Sequence, residues 1–126
     1  MVEAIFTQSE DKNTYIVTVV GHADYAEEGR DIVCSAVSTL IYTLAQNVRD
    51  CEELGWLRKK PVLELEDGNT KITCKPRVER RNAVKLIFTV IQRGMEMIAV
   101  NYPDHVGITK MVTDTRPSMI KKEPST

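Results

Sequence analysis

The hydrophobic positions switch period along the chain: two short apolar runs, a long helical stripe, two more short runs, and a second stripe. Val2-Glu3-Ala4-Ile5-Phe6-Thr7 predicts a strand. The polar cluster Ser9-Glu10-Asp11-Lys12-Asn13 predicts a turn after it. Tyr15-Ile16-Val17-Thr18-Val19-Val20 is β-branched and aromatic, and predicts the second arm of a hairpin that stops at Gly21. Residues 21–30 show no period. Glycines at both ends mark a sharply bending loop. Asp31 is a good N-cap, and Val33, Val37, Leu40, Leu44 and Val48 recur at helical spacing behind it. They predict a helix from Ile32 to about Asn47. Ala36, Ile41 and Ala45 widen its apolar face, so this helix is expected to be covered on more than one side.

Residues 49–60 are mixed and read as a connector. Val62 to Glu66 alternates with period two, Asp67-Gly68 is a two-residue hairpin turn, and Thr70 to Cys74 returns before Pro76. Val84, Ile87, Phe88, Ile91, Met95 and Ile98 predict a second helix over Arg80 to Val100, closed by Pro103. Val106 to Val112 is a short further strand. The order β-β-α-β-β-α predicts an α+β fold: an antiparallel or mixed sheet with two main helices packed on it. Residues 1–113 form one domain, and residues 114–126, with two prolines and small polar residues, a loose tail.

Composition narrows the class without changing that picture. A chain of 126 residues and 14.3 kDa is one ordinary domain. At this length a fold buries roughly two-thirds of the surface of its unfolded chain, without help from disulfides or metals. Seventeen Lys and Arg against eighteen Asp and Glu leave a net charge of −1. That balance disfavours a general nucleic-acid or membrane-surface binder, while leaving room for a local basic patch. Lys59-Lys60 and Arg77, Arg80, Arg81 are two small basic runs, each a solvated face or a contact for RNA or for an acidic dimer partner. The start Met1-Val2-Glu3-Ala4 carries an early acid, so no leader is expected. The apolar stretches stop short of the ~18 residues a membrane span requires. Cys34, Cys51 and Cys74 are odd in number, scattered, and without a C-x-x-C pair. That argues against a disulfide scaffold and a zinc knuckle, and for a reduced cytoplasmic protein without metal or other cofactor.

The segment Gly21 to Ser38 is where chemistry concentrates. His22 stands just past the end of a strand and Cys34 in the first turn of a helix, twelve residues on. Cysteine catalysis requires a thiolate. A helix N-terminus favours that negative charge, and an imidazole removes the proton. Free N–H groups of the first turn can also hold an oxyanion. The plainer reading is a small core cysteine and a capping histidine, and the residues alone leave both open. Asp31 is ambiguous in the same way. As a cap it fixes the turn, and as a charge it opposes the thiolate.

Gly21-His22-Ala23, Tyr25-Ala26, Gly29 and Asp31-Ile32-Val33-Cys34-Ser35-Ala36-Val37-Ser38 together resemble the signature of the ribosomal-processing cysteine protease family, Prp. The likeness extends over most of residues 1–104. It implies a homodimeric cysteine endopeptidase with Cys34 as nucleophile and His22 as general base, and Gly21, Gly29, Asp31, Ser35 and Ser38 in support. It implies removal of a short N-terminal extension from a large-subunit ribosomal protein, cutting after a pair of aromatic residues. No membrane or direct nucleic-acid partner is expected. In this reading the loop 23–30 closes over the peptide.

The remaining candidates point to packing. Cys51, among Asp50, Glu52 and Glu53, has its thiolate disfavoured by neighbouring charge. Cys74 alternates with Ile72 on a strand and reads as packed. His105 reads as a surface residue, and Trp56 as a core or dimer anchor. Ser38 either bonds back to a carbonyl one turn earlier or lines the site. The competing function is a non-catalytic, dimeric, ribosome-associated binding module in which Cys34 is a packed residue.

Overall fold

The computed structural model describes residues 1–21, 32–113 and, as backbone, 120–123. His22, Gly29, Asp31 and the loop 23–30 lie outside the described residues. Strand β1 spans Val2–Ser9 and β2 Tyr15–Val20. Helix α1 spans Ile32–Glu53, then β3 Val62–Glu66 and β4 Asn69–Cys74. A single 3-10 turn at Val78–Arg80 leads into α2, Arg81–Asn101. β5 spans Val106–Thr113 and β6 Ile120–Glu123. They build one six-stranded sheet in the order β3-β4-β2-β1-β5-β6. The sheet is mixed, because β5 runs parallel to β1 while the other neighbours are antiparallel.

Turn chemistry sets the first hairpin. The Ser9 hydroxyl accepts from the amides of Asn13 and Thr14 and donates to Asp11 at 2.6 Å. That bond, followed by the Asn13 amide on the same carboxylate, lowers the Asp11 pKa. Lys12 takes the left-handed conformation, φ 62°. From this turn the register runs Gln8–Tyr15, Phe6–Val17 and Ala4–Val19, and on through Val17–Ile72 and Val2–Val106. All of them except the half-buried Gln8 are buried, and they make the core face of the sheet. The opposite face carries Ile5, Thr7, Ile16 and Thr18 at half-burial, the in–out alternation of a sheet covered on one side.

Both helices lie on the buried face. Leu44 of α1, Ile72 of β4 and Met95 of α2 have no exposed surface. The Phe88 ring of α2 packs on Tyr15 with centroids 5.7 Å apart. The helices touch at Gly94, where an added Cβ would lie 2.9 Å from Leu40 Cδ2. The sheet and α2 thus cover α1 on two sides, and Tyr42 is left 60% exposed.

Several boundaries differ from the sequence expectation. First, α1 runs to Glu53 instead of ending near Asn47, so residues 49–53 are helix and not connector. Leu44, Val48 and Cys51 are buried at i, i+4 and i+7, and this continued stripe holds the extra turn. The helix stops at Gly55, φ 75°, where the Gly55 and Trp56 amides bond back to the Glu52 and Cys51 carbonyls. Second, β4 begins at Asn69, and α2 begins at Arg81 behind its 3-10 turn. Third, within the stretch read as a loose tail, Ile120–Glu123 pairs with β5 as an outer strand. No described helix is long and apolar enough to cross a membrane.

Candidate active site

Cys34 is the third residue of α1, so it sits in the first turn, at the positive end of the helix dipole. It is half-buried and not in a disulfide. It faces a cleft of about 300 Å³ between the start of α1 and the β3–β4 hairpin. Val37, Ile41 and Tyr42 of α1 form one wall, with Val2 and Val19 from the central strands. Leu65, the Asp67-Gly68 turn, Asn69 and Thr70 form the other. The wall chemistry is therefore apolar beside the thiol, with exposed carboxylates of Glu66 and Asp67 at the rim.

Gly21 lies in the same cleft, one residue before His22. Its φ is 94°, a backbone region that side chains disfavour, and a Cβ there would run into the Met1 carbonyl. Its amide donates to the Gly68 carbonyl at 2.9 Å. The chain thus leaves β2 at the cleft wall with a conformation that only glycine adopts without strain. Of the supporting serines, Ser38 lines the cleft. Ser35 is exposed, and its carbonyl accepts the Thr39 hydroxyl at 2.8 Å. His22, Gly29 and Asp31, expected at this site, lie outside the described residues.

The other cysteines are core residues. Cys51 is 3% exposed within α1. Its pKa is raised first by burial and only then by Asp50, so the expected charge effect is the smaller cause. Cys74 is fully buried, which pushes its thiol up to about 12. Trp56 is half-buried with the Arg80 guanidinium 4.8 Å above its ring. Among the described residues no group of His, Cys, Asp or Glu could hold a metal ion. Sequence reasoning did not assign Tyr42, Leu65 or the 67–70 turn to the site. Asp67-Gly68 had signalled a tight turn, but nothing local says which strand end the turn touches.

The family model described as "Cysteine protease Prp" matches residues 1–107. The ribosomal processing cysteine protease Prp of Bacillus subtilis (strain 168) is 26% identical over 113 residues, covering 86% of this chain and 96% of that protein. The Mycoplasma genitalium protein of the same description is 28% identical over 90 residues, covering 71% and 82%. Among solved structures, the fold resembles the S. aureus ribosomal processing protease Prp in complex with a covalently linked product peptide. That match has a TM-score of 0.65 and 20% identity, and covers 87% of this chain and 99% of that one. SMU.848 from Streptococcus mutans matches with a TM-score of 0.57 at 27% identity, covering 91% and 96%.

Proposed function

The chain belongs to the cysteine protease Prp family and is a peptidase, and we propose that it is an endopeptidase that trims the N-terminal extension of a large-subunit ribosomal protein with Cys34 as nucleophile and His22 as general base. The observation that carries this reading is the position of Cys34: half-buried in the first turn of a helix, facing a cleft with an apolar wall. The helix start favours the thiolate, and the apolar wall suits the aromatic side chains before the cut. Two curated relatives described as ribosomal processing proteases support the substrate assignment.

The chemistry runs in balanced steps. His22 takes the Cys34 thiol proton. The thiolate attacks the peptide carbonyl, forming the C–S bond and an oxyanion held by N–H groups at the helix start. The oxyanion collapses, the C–N bond breaks, and His22 gives its proton to the leaving amine. His22 then takes a proton from water, whose oxygen attacks the thioester. The adduct collapses, the C–S bond breaks, the carboxyl product leaves, and His22 returns its proton to the Cys34 sulfur. Gly21 sets the exit from β2 and Ser38 lines the cleft, with Gly29, Asp31 and Ser35 as further supporting residues of the proposed site.

The working unit is a cytoplasmic homodimer. Leu86, Val90, Met97 and Val100 form a stripe along α2, each at least 59% exposed. A twofold contact buries such a stripe against its own copy. Light scattering at micromolar concentration should give twice the 14.3 kDa chain mass, and a monomer mass overturns the dimer.

The deciding experiment is incubation with the N-terminally extended ribosomal protein. Wild type should release the extension after the aromatic pair, and folded Cys34→Ala should release none. Cleavage by Cys34→Ala would reject the mechanism. An intact substrate with wild type would favour the non-catalytic binding module.

A further inference from the structure

The net charge of −1 conceals a strong segregation. Residues 56–60 and 75–81 together hold seven cations and one acid, Glu79, a net of +6, so the other residues carry −7. The two runs are distant in sequence, and the fold places them side by side. Leu57 bridges Pro76, the Arg58 amide donates to the Lys75 carbonyl at 2.9 Å, and the Arg77 amide donates to the Trp56 carbonyl at 2.8 Å. Arg58, Lys59 and Lys60 of one run therefore share a corner with Lys75, Arg77, Arg80 and Arg81 of the other.

Part of this charge is structural. Arg58 donates to the Asn13 carbonyl and Arg81 to the Asp11 carbonyl, both at 3.1 Å, so these two tie down the first hairpin. Arg80 lies on the Trp56 ring. Lys59, Lys60 and Arg77 are exposed and Lys75 is half-buried, and none of the four pairs with a carboxylate among the described residues. Unpaired cations held close by backbone pairing repel one another. A polyanion relieves that repulsion, and a phosphate backbone supplies charge at short, regular spacing. The aromatic ring beside the cations fits a nucleic acid better than an acidic protein, because bases and guanidinium groups stack on such rings.

We propose that the corner formed by residues 56–60 and 75–81 is a second binding site, for the phosphate backbone of RNA. The choice of RNA over DNA rests on the ribosomal substrate proposed above, and the cation cluster does not. The corner lies at the far end of α1 from Cys34. Glu53 stands nineteen helical steps beyond Cys34, about 28 Å at ~1.5 Å per residue. The site would hold the enzyme on a ribonucleoprotein while the remote cleft cuts the protein component. Peptide cleavage and RNA binding are thus separable.

The test is fluorescence anisotropy of the full chain with a labelled single-stranded RNA of about 20 nucleotides, and with DNA of the same sequence. With four phosphates engaged, the RNA affinity should fall roughly 50-fold between about 50 and 200 mM salt, the slope for single strands being ~0.7 per contact. Lys59→Glu/Arg77→Glu should weaken RNA binding at least tenfold and cleave a short peptide at the wild-type rate, which reports that the variant is folded. The control Lys71→Glu/Lys110→Glu, with the same change in charge, should bind as wild type does. Failure of wild type to bind RNA at low salt, or equal binding by the corner variant, overturns the site. Displacement of RNA by polyglutamate as readily as by unlabelled RNA makes the partner an acidic protein and overturns the proposal. Several-fold tighter binding of DNA overturns the RNA assignment. If the extended ribosomal protein is not cleaved but RNA binds at this corner, the peptidase reading fails and the site stands.

Discussion

The amide of Gly21 donates to the carbonyl of Gly68 at 2.9 Å, so the end of β2 is fastened to the tip of the β3–β4 hairpin. Both glycines have positive φ, 94° and 74°. Gly21 precedes His22 in the chain, and Gly68 lies in the wall of the Cys34 cleft. This one bond couples the strand that leads to the proposed base with the hairpin that walls the nucleophile. The two parts of the site come from segments nearly fifty residues apart.

Gly21→Ala should damage both stability and cleavage. The methyl group would meet the Met1 carbonyl, and the φ of 94° strains any L side chain. Backbone strain of this kind costs ~1–3 kcal/mol. Urea unfolding should show a lower midpoint with an unchanged slope, and peptide cleavage should fall in the same protein. A midpoint equal to wild type would show that the Met1 strand end shifts freely.

His22→Ala should slow peptide cleavage by roughly 10²–10⁴, the usual contribution of a general base. Its pH–rate profile should also lose the limb that reports the imidazole. A near-normal rate with an unchanged profile would move the base role to another residue, Asp31 first.

Thiol labelling should distinguish the three cysteines in the native state. Iodoacetamide at neutral pH should modify Cys34 first, while Cys51 and Cys74 react only after unfolding. Both buried thiols have raised pKa values, Cys74 up to about 12, so their thiolate fraction is small and their access blocked. Peptide mapping after a short pulse reads the outcome, and early label at Cys74 would contradict the core.

Stability should fall with rising pH on the alkaline side. The folded Cys74 thiol ionises at about 12 against an ordinary value of 9.0, so the folded state retains a proton that the unfolded chain has lost. The stabilising effect is full below about pH 9 and is lost as pH rises toward 12, at up to roughly 1.4 kcal/mol per pH unit. Tyr15 and Cys51, also raised chiefly by burial, act in the same sense. Denaturation midpoints across this range should decline in wild type and decline less steeply in Cys74→Ala. Parallel curves would deny Cys74 its share.

Removing residues 114–126 should leave peptide cleavage intact. The family match ends at residue 107, and among the described residues the Cys34 cleft uses none beyond Thr70. The loss of β6 uncovers the edge of β5, so the truncated protein should unfold at a modestly lower temperature and self-associate more. Loss of cleavage would give the tail a role in the site.

The sequence by itself determined the periods, and with them the kind of element at each place. Val33, Val37, Leu44 and Val48 announced α1, alternation announced β3, and Asp67-Gly68 announced the turn between β3 and β4. Cys34 at a helix start and Gly21 at a strand end were legible for the same reason, since caps, turns and dipoles act over a few residues. The tertiary structure decided what depends on distant partners. Burial of Cys51 drew α1 through Glu53, although its local residues read as a connector. Pairing with β1 set β5 parallel and inside the sheet, and pairing with β5 made an edge strand of residues 120–123. The bond from Gly21 to Gly68 and the pairing of Arg58 with Lys75 arise the same way. A side-chain period fixes which face of an element is buried but carries no address for its neighbour, and that choice is made only when the whole sheet closes over one core.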